Sequence, residues 1–382
     1  MQLKGYVENY MGYLFRDNEM LKGKLEMNSG LIDLNEFMVS TESEGEENEE
    51  EPLEVVPVPE NIDFVMDTRI SRMLYDNMTM NNVRGTVVVR NGVLDMRGLD
   101  FDMLDGHFKV TGVYHTKDIK KPFFDINLDV DNVSIKQSYA TLGLVQTFAP
   151  IAAATTGDIS TDFRLKGNLG EAMMPLYSSL TGSGLLKVIE ASIRDSKLIK
   201  GLSSATNLNN AQTATLKDIV MSAKIEDGRM GVDPFDLNIG NYSTNIAGSI
   251  GADGSLSYGL DMEVPAGELG EQYNQLLSGL TCEQRESEKI DLVVGLTGTY
   301  DSPKFKIETA ELTAQAKDAA KKAAEDAAKN EAEKMLNNLL QQQQDSAAAD
   351  TVAKDPKQEA VEDVTEQATE TLKNLFKKKK KN

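Results

Sequence analysis

"MTMNNVRGTVVVRNGVLDMRGLDFDMLDGHFKVTG" spans residues 78–112, and "ATLKDIVMSAKIEDGRMGVDPFDLNIGNYSTNIAG" spans residues 214–248. The two stretches align without a gap, and the aligned pairs include Val83 with Ile219, Leu94 with Met230, Phe101 with Leu237, Gly92 with Gly228 and Gly112 with Gly248. Asn91-Gly92 in the first and Asp227-Gly228 in the second favour two-residue hairpin turns, because both central residues take positive φ at low cost. The chain therefore contains a duplicated unit of strand, tight turn, strand and further strand.

Hydrophobic periodicity extends this unit along the chain. Apolar and polar residues alternate with period two between about residues 61 and 307, as in Phe124, Ile126 and Leu128, which is typical of half-buried antiparallel strands. Because one unit cannot bury its apolar face alone, repeats must stack side by side. The predicted fold is mainly β with flanking helices: an elongated, curved antiparallel β-sheet groove built from repeats. Helices are predicted near residues 133–148, 171–180, 196–205 and 266–280.

Composition shifts divide the chain into four segments. Residues 1–40 are predicted to form an N-terminal strand segment of the groove. Residues 41–60 carry dense carboxylates and three prolines, and they are predicted to be an exposed, disordered loop that interrupts the fold. Residues 61–307 form the repeat groove. Residues 308–382 are rich in Ala, Lys and Glu, which predicts a long helical tail with a lysine-rich end.

Charge and composition exclude several classes of protein. The chain of 382 residues has a formal net charge of −21 and a pI near 4.6, which argues against a nucleic-acid partner, since phosphate contacts need a basic face. With Cys282 as the one cysteine, neither a disulfide framework nor a cysteine-based metal site forms within the chain. The sequence contains no run of about 18 apolar residues, so it predicts no membrane-spanning helix. The first residues lack the features of a signal peptide, so the chain is expected to carry no signal or anchor.

Candidate catalytic and metal-binding residues are few. His107 and His115 lie eight residues apart, and we interpret them as histidines of a strand surface rather than as a metal pair. Cys282 has acidic neighbours, which disfavour a thiolate nucleophile. The carboxylates of "DINLDVDN" at residues 125–132 fall on one solvent face of a strand and predict a polar outer surface. We therefore assign no catalytic residue, no metal and no cofactor, and we expect a protein that is not an enzyme.

Glycines recur within the apolar alternation. The pattern apolar-x-Gly-x-apolar occurs at Gly23, Gly112, Gly167, Gly248 and Gly298. Glycine weakens a strand interior, so its recurrence on the apolar face predicts sharp bending or close approach of the backbone. A sheet bent along its apolar side forms a trough.

Two further stretches carry a resemblance to a known family. "FRLKGNLGEAMMPLYSSLTGSGLLKVIEASIRDSKLIKGLSSA" at residues 163–205 and "LTGTYDSPKFKI" at residues 296–307 resemble the C-terminal region of AsmA-like proteins of Gram-negative envelopes. "GKLEMNSGLIDLNEFM" at residues 23–38 is similar to the strand segment that precedes that region. The resemblance covers roughly residues 20–307.

The resemblance implies a curved β-groove with a hydrophobic interior, related to bridge-like lipid transfer proteins. It also implies a periplasm-facing, membrane-associated location and a part in phospholipid transport and outer-membrane biogenesis, and it leaves the protein partners in the envelope unknown. Family members usually carry an N-terminal inner-membrane helix; this sequence departs from that pattern, which leaves open a fragment, a late start or another means of attachment.

The apolar face is the candidate functional site. In an ordinary sandwich such a face packs against a second sheet, whereas the repeats, the glycines and the resemblance favour a lipid-facing trough. Burial of acyl chains is non-directional and contributes about 0.8 kcal/mol per methylene, so the trough would accept varied phospholipids. The residues expected to hold acyl chains are Leu94, Met96, Phe101, Met103, Phe108, Val110, Leu237, Ile239, Ile246, Leu256, Tyr258, Leu260, Met262, Leu292, Val294 and Leu296.

The end of the tail is a second candidate site. Apolar residues recur every three or four positions on a predicted helix that ends in lysines, so this end either docks on an anionic membrane surface or remains a solvated or self-associating helix. The candidate membrane-surface residues are Leu372, Leu375, Phe376, Lys377, Lys378, Lys379, Lys380 and Lys381.

Two functions of different class remain open on the sequence. The first is an envelope protein that binds lipid acyl chains in its groove. The alternative is a structural or regulatory periplasmic scaffold that has a closed β core and acts through protein partners.

Overall fold

A computed structural model describes residues 1–16, 19–37, 57–170, 173–269 and 289–308, together with the single positions 321, 329 and 334. Sixteen strands form one sheet. The strands are β1 (Gln2–Glu8), β2 (Leu21–Ser29), β3 (Ile32–Asp33), β4 (Ile62–Tyr75), β5 (Met78–Arg90), β6 (Val93–Met103), β7 (Gly106–His115), β8 (Phe123–Ser134), β9 (Thr155–Asn168), β10 (Thr181–Arg194), β11 (Thr213–Glu226), β12 (Arg229–Ile239), β13 (Tyr242–Gly251), β14 (Leu256–Pro265), β15 (Lys289–Gly298) and β16 (Pro303–Ile307). The α-helices are α1 (Tyr10–Phe15), α2 (Ile135–Thr141), α3 (Gly143–Phe148) and α4 (Lys197–Thr206).

Strand order in the sheet follows chain order. Each strand pairs antiparallel with the next, apart from the junction at β4, where β2 and β3 both run parallel to it. Parallel neighbours need a long crossover between them, and the chain between β2 and β4 contains the predicted acidic segment. The result is a long, open, curved and mainly antiparallel sheet with few helices, which confirms the predicted fold class in its β part.

The duplicated unit recurs in the backbone geometry. The offset between the two stretches is 214 − 78 = 136 residues, and β6 and β7 have the same bounds as β12 and β13 after this shift. Both predicted hairpin turns have two central residues at positive φ. The register of β6 with β7 shifts between Met96 and Leu99, and that of β12 with β13 shifts between Val232 and Phe235, which are the equivalent positions. The two repeats therefore share the position of this β-bulge as well as the bounds of their strands.

Gly112 and Gly248, which are equivalent in the repeat, meet the predicted need for close backbone approach. Their φ values are +142° and +152°, a region that L-residues rarely adopt. A Cβ atom on Gly112 would lie 2.2 Å from the carbonyl oxygen of Asp125, and one on Gly248 would lie 2.3 Å from that of Ser257. Each position therefore needs glycine because the next strand passes too close for a side chain.

The other three glycines of the pattern have different surroundings. Gly23 lies beneath the ring of Phe64, and Gly167 lies beneath Leu180, where an added Cβ would be 3.0 Å and 2.8 Å from the nearest atom of that side chain. Gly298 ends β15 at φ +83°, in the hairpin that leads to β16. The shared sequence pattern thus covers three separate structural requirements.

Two of the four helix predictions are confirmed. The helix predicted near residues 133–148 corresponds to α2 and α3, which run from Ile135 to Phe148 with a break at Leu142, whose backbone is extended. Helix α4 matches residues 196–205 and begins after Ser196, whose hydroxyl accepts a hydrogen bond from the Leu198 amide at 3.2 Å.

The prediction of a helix over residues 171–180 is wrong for the positions that the structure describes. They hold 3-10 structure at Met173 and at Tyr177–Ser179 and no α-helix, because the chain runs back along β9: Pro175 bridges to Leu169, and the Leu176 amide bonds to the Asn168 carbonyl. At residues 266–280, the described part contains a 3-10 turn at Ala266–Glu268.

The predicted acidic loop and tail fall mostly outside the described residues. Of the loop, residues 57–60 are described, and they belong to the fold: Val58 is buried, and its amide donates to the Thr116 hydroxyl at 2.7 Å. Of the predicted helical tail, only residue 308 and the single positions 321, 329 and 334 are described, and the candidate membrane residues 372–381 lie outside the described residues.

The glycines that allow close strand approach give a test of the fold. We expect Gly112→Ala and Gly248→Ala each to lower the free energy of unfolding by at least about 2 kcal/mol, because each variant combines positive-φ strain with a backbone clash. Gly259→Ala is the matched control, since Gly259 also lies within a strand but an added Cβ there meets nothing within 4 Å. Urea unfolding followed by circular dichroism measures the difference, and equal small losses at all three positions would contradict it.

Candidate functional site

The strand registers join apolar residues of successive strands into one face of the sheet. Directly paired residues point to the same side of a sheet. One row of such pairs can be followed through Leu25, Met66, Val87, Met96 and Gly112. It continues across the remaining strands through Ile126, Leu165, Gly182, Ile225, Met230, Ile250 and Leu256. We call this side of the sheet the apolar face.

All of the residues expected to hold acyl chains lie on the apolar face, because their pairings connect them to this row or to parallel rows on the same side. They differ in how far they are covered. Five remain partly buried, namely Leu94, Met96, Val110, Ile246 and Tyr258. Eleven are buried, namely Phe101, Met103, Phe108, Leu237, Ile239, Leu256, Leu260, Met262, Leu292, Val294 and Leu296.

The C-terminal end of the apolar face is closed by the chain itself. Met262, Leu292 and Val294 have no exposed surface, and they belong to one cluster with Leu202 of α4 and Leu208 just after it. Helix α4 also packs against β16: an added Cβ on Gly201 would lie 2.5 Å from the Phe305 ring. The helix must therefore sit directly on the sheet.

The middle of the face is covered by the chain between β8 and β9. Phe148 of α3 is buried in the same cluster, and its ring meets that of Tyr177 edge-on at 5.7 Å. Around Phe101 and Phe108, whose rings stack at 5.3 Å, a second cluster forms with Ile70.

These covering segments correct the prediction that the buried residues of the apolar face contact lipid. In the structure, the side chains from Leu237 to Leu296 that were expected to contact lipid contact protein instead, with Ile246 and Tyr258 partly exposed at the margin. The physical reason is that the amphipathic helix α4 has its own apolar stripe to bury. Sequence alternation identifies the face but does not show which segment covers it.

The N-terminal end of the apolar face remains open. Seven neighbouring side chains on β2, β4, β5 and β6 are partly buried and belong to neither cluster of buried residues in the described chain. Cross-strand pairs join them, such as Met66 with Val87 and Val87 with Met96. We call this group the open patch; it consists of Leu25, Phe64, Met66, Val87, Val89, Leu94 and Met96.

Sequence analysis found only Leu94 and Met96 of the open patch. The alternation in "IDFVMDT" at residues 62–68 carries the signal for Phe64 and Met66. The run "TVVVR" at residues 86–90 hides Val87 and Val89, because three successive valines do not show which side chains share a face.

The opposite face of the sheet carries ordered ion pairs. Arg164 donates two hydrogen bonds to Asp125, at 3.0 and 2.7 Å, and the guanidinium holds the pKa of Asp125 below its usual range. Arg84 pairs with Asp100, and Arg90 pairs with Asp63. The acidic alternation at residues 125–132 therefore lies on a polar outer surface, as predicted.

His107 lies between two carboxylates on this outer face. Its Nδ1 is 3.0 Å from Asp102 Oδ1, and its Nε2 is 3.1 Å from Asp100 Oδ2. A carboxylate only accepts hydrogen bonds, so both ring nitrogens donate to these partners when the imidazole is protonated. The hydrogen bond to Asp102, followed by the bond and charge of Asp100, raises the pKa of His107 above 6.5.

Within the described residues, no group of three or more His, Cys, Asp or Glu side chains is arranged to hold a metal ion. None of the described helices combines the length and the apolar character that crossing a bilayer requires. Cys282 lies outside the described residues.

Comparison with known proteins adds no family to this description. No protein-family model, no curated protein and no solved structure matches the chain.

The environment of His107 predicts a pH-dependent contribution to stability. The pKa of His107 is higher in the folded protein than in the unfolded chain, where it is near 6.5. The interaction therefore stabilises the fold fully at pH values below 6.5, and this stabilisation is lost as the pH rises through the folded-state pKa. We therefore expect His107→Gln to destabilise the protein more at about pH 5.5 than at about pH 8.5. Urea unfolding at both pH values measures this difference.

Asp102→Asn provides the control for that experiment. In the Asp102→Asn background the pH dependence of the His107→Gln effect should shrink, because the main cause of the pKa shift is gone. A destabilisation that is the same at both pH values, or larger at high pH, would contradict the assignment.

Proposed function

We propose that this chain is a non-enzymatic cell-envelope protein that binds lipid acyl chains on the open patch and thereby supports phospholipid transport. The observation that carries the proposal is the continuous apolar face, whose C-terminal end is buried under other described segments, whereas Leu25, Met66 and Met96 are only partly buried among the described residues. The resemblance to AsmA-like proteins supports the same function, with a periplasm-facing, membrane-associated location and a part in outer-membrane biogenesis.

The open patch has the properties that acyl chains require. Its side chains are aliphatic, thioether or phenyl groups, and burial of a methylene against them contributes about 0.8 kcal/mol without any directional contact. Met66 and Met96 lie two strands apart in the same row, and methionine adapts its shape to varied ligands. The patch would therefore bind the acyl chains of many phospholipids, with head groups left in water.

The closed C-terminal end supports a second candidate, a scaffold that acts through protein partners. Met262, Leu292 and Val294 are fully covered there, so this part of the sheet has a core of its own. Under this candidate, the open patch would be the contact surface for another protein.

Lipid extraction from the purified full-length chain separates the two candidates. The lipid proposal predicts co-purifying phospholipid of mixed acyl composition in stoichiometric amount, detected by native mass spectrometry. A chain that is folded, lipid-free and unable to take up lipid from phosphatidylethanolamine–phosphatidylglycerol vesicles would contradict it.

A paired variant tests the location of the site. We expect Met66→Gln combined with Met96→Gln to lower lipid affinity at least about tenfold, because each substitution removes roughly 1.5 kcal/mol or more of apolar contact with the acyl chain. Transfer of a fluorescent phospholipid from vesicles to the protein measures this loss.

Val220→Gln is the matched control for the paired variant. Val220 is 59% exposed and pairs with Lys187 on the outer face, so its replacement removes an exposed apolar side chain away from the patch. Equal losses in the control and in the paired variant would show that uptake does not occur at the open patch.

A further inference from the structure

Among the described strands, none pairs with the outer edge of β1. Strand β1 is the first in the strand order of the sheet, and among the described strands only β2 pairs with it. All seven of its residues are exposed. An edge strand presents a row of free amide and carbonyl groups, and these can pair with a strand of another chain.

Exposed apolar side chains concentrate beside this edge. The described residues expose fifteen large hydrophobic side chains, and eight of them lie within the first fifteen residues. In α1, Leu14 is 66% and Phe15 is 75% exposed, and none of its residues is buried. A concentration of this kind marks an interaction surface. The eight residues are Met1, Leu3, Tyr6, Val7, Tyr10, Met11, Leu14 and Phe15.

We propose that this surface binds a second copy of the chain through antiparallel pairing of β1 with β1, about a two-fold axis that passes beside Tyr6. In this register, Lys4 faces Glu8 of the second copy, and this happens twice because of the symmetry. Val7 then faces Gly5 of the second copy, so a larger side chain lies opposite the smallest one.

The charges of β1 and β2 select this register. Within one copy, Lys4 pairs across the strands with Glu26, and Glu8 pairs with Lys22. The proposed contact extends these pairs into a row of alternating sign, which runs from Glu26 to Lys4 and then to Glu8 and Lys22 of the second copy. Opposite charges in direct cross-strand pairs stabilise a sheet, and like charges destabilise it.

Symmetry disfavours the parallel arrangement. A parallel pair of identical strands in register would place Lys4 beside Lys4 and Glu8 beside Glu8. Antiparallel pairing about a two-fold axis also keeps both apolar faces on the same side of the joined sheet, because the axis is then normal to the sheet. The two open patches would thus become parts of one longer apolar surface.

The overall charge of the chain does not oppose this contact locally. The net charge is −21, but residues 1–16 contain two basic side chains, Lys4 and Arg16, and one acidic side chain, Glu8. Repulsion from more distant carboxylates is screened over about 8 Å at physiological salt. The inference rests on the edge and its charges and does not require the open patch to bind lipid.

Analytical ultracentrifugation of the full chain at physiological salt tests the proposal. A monomer has a mass of 41.9 kDa, and we expect a reversible, concentration-dependent species of twice that mass. Lys4→Glu and Glu8→Lys should each weaken the dimer about tenfold, because two ion pairs are lost and replaced by repulsion. The double variant Lys4→Glu with Glu8→Lys restores opposite charges between copies and should recover most of the affinity.

Two further variants keep the test specific. Lys217→Glu is the matched control: Lys217 is exposed and faces Glu190 across β10 and β11, as Lys4 faces Glu26, but it lies far from the edge. It should leave dimerisation unchanged. In a Cys282→Ser background, Tyr6→Cys should form a disulfide-linked dimer, because residues facing each other across antiparallel strands have Cα atoms about 4.5–5.5 Å apart.

Several results would overturn the inference. They are a monomer at all concentrations, a dimer that ignores both single charge reversals, failure of the double variant to recover affinity, and assembly beyond the dimer. Binding of the monomer to phosphatidylglycerol vesicles through Leu14 and Phe15, without dimerisation, would assign the surface to a membrane instead. Circular dichroism of each variant establishes that the fold is intact.

Discussion

Most strands of this sheet contribute apolar side chains to one common face, and the rest of the structure depends on that constraint. Alternation fixes it within a strand, and the cross-strand registers carry it from β2 to β16 without inversion. A register slip of one residue would move a whole strand's apolar residues to water. The β-bulges within the sheet recur at equivalent places in the two repeats, at Met96 to Leu99 and at Val232 to Phe235, so the continuity of the face is kept even where the ladder is irregular.

A face of this length needs a cover, and the described segments of the chain supply one for only part of it. The helices α2, α3 and α4 lie in connections between consecutive strands. Their apolar side chains pack on the sheet, as Phe148 of α3 and Ile199 and Leu202 of α4 do in the larger buried cluster. No comparable element among the described residues lies over Met66, Val87 and Met96. The same alternation thus builds a closed core at one end and the open patch at the other, and this difference is the structural basis of the proposed lipid site.

The sequence predicts much of this arrangement because the dominant signals are local. Hairpin turns at Asn91-Gly92 and Asp227-Gly228, the repeat offset and the alternation depend on residues close together in the chain. What covers the face is a long-range property: α4 packs on Phe305, which lies about a hundred residues later in the chain. Because this packing cannot be read from local sequence, the sequence predicted that Met262 and Val294 contact lipid, although both are buried against protein in the structure. The region near Pro175 was likewise expected to be helical, but a bridge to Leu169 overrides local helical preference there.

Methionine oxidation by peroxide, followed residue by residue with mass spectrometry, tests the central claim that the apolar face is open at one end and closed at the other. Oxidation converts the thioether into a sulfoxide and requires access to the sulfur. Met66 and Met96 lie in the open patch, whereas Met262 has no exposed surface. The account predicts that Met66 and Met96 oxidise well before Met262 in the native protein, and that phospholipid slows only the first two. Oxidation of Met262 as fast as Met66, or resistance of Met66 and Met96 in the lipid-free protein, would contradict it.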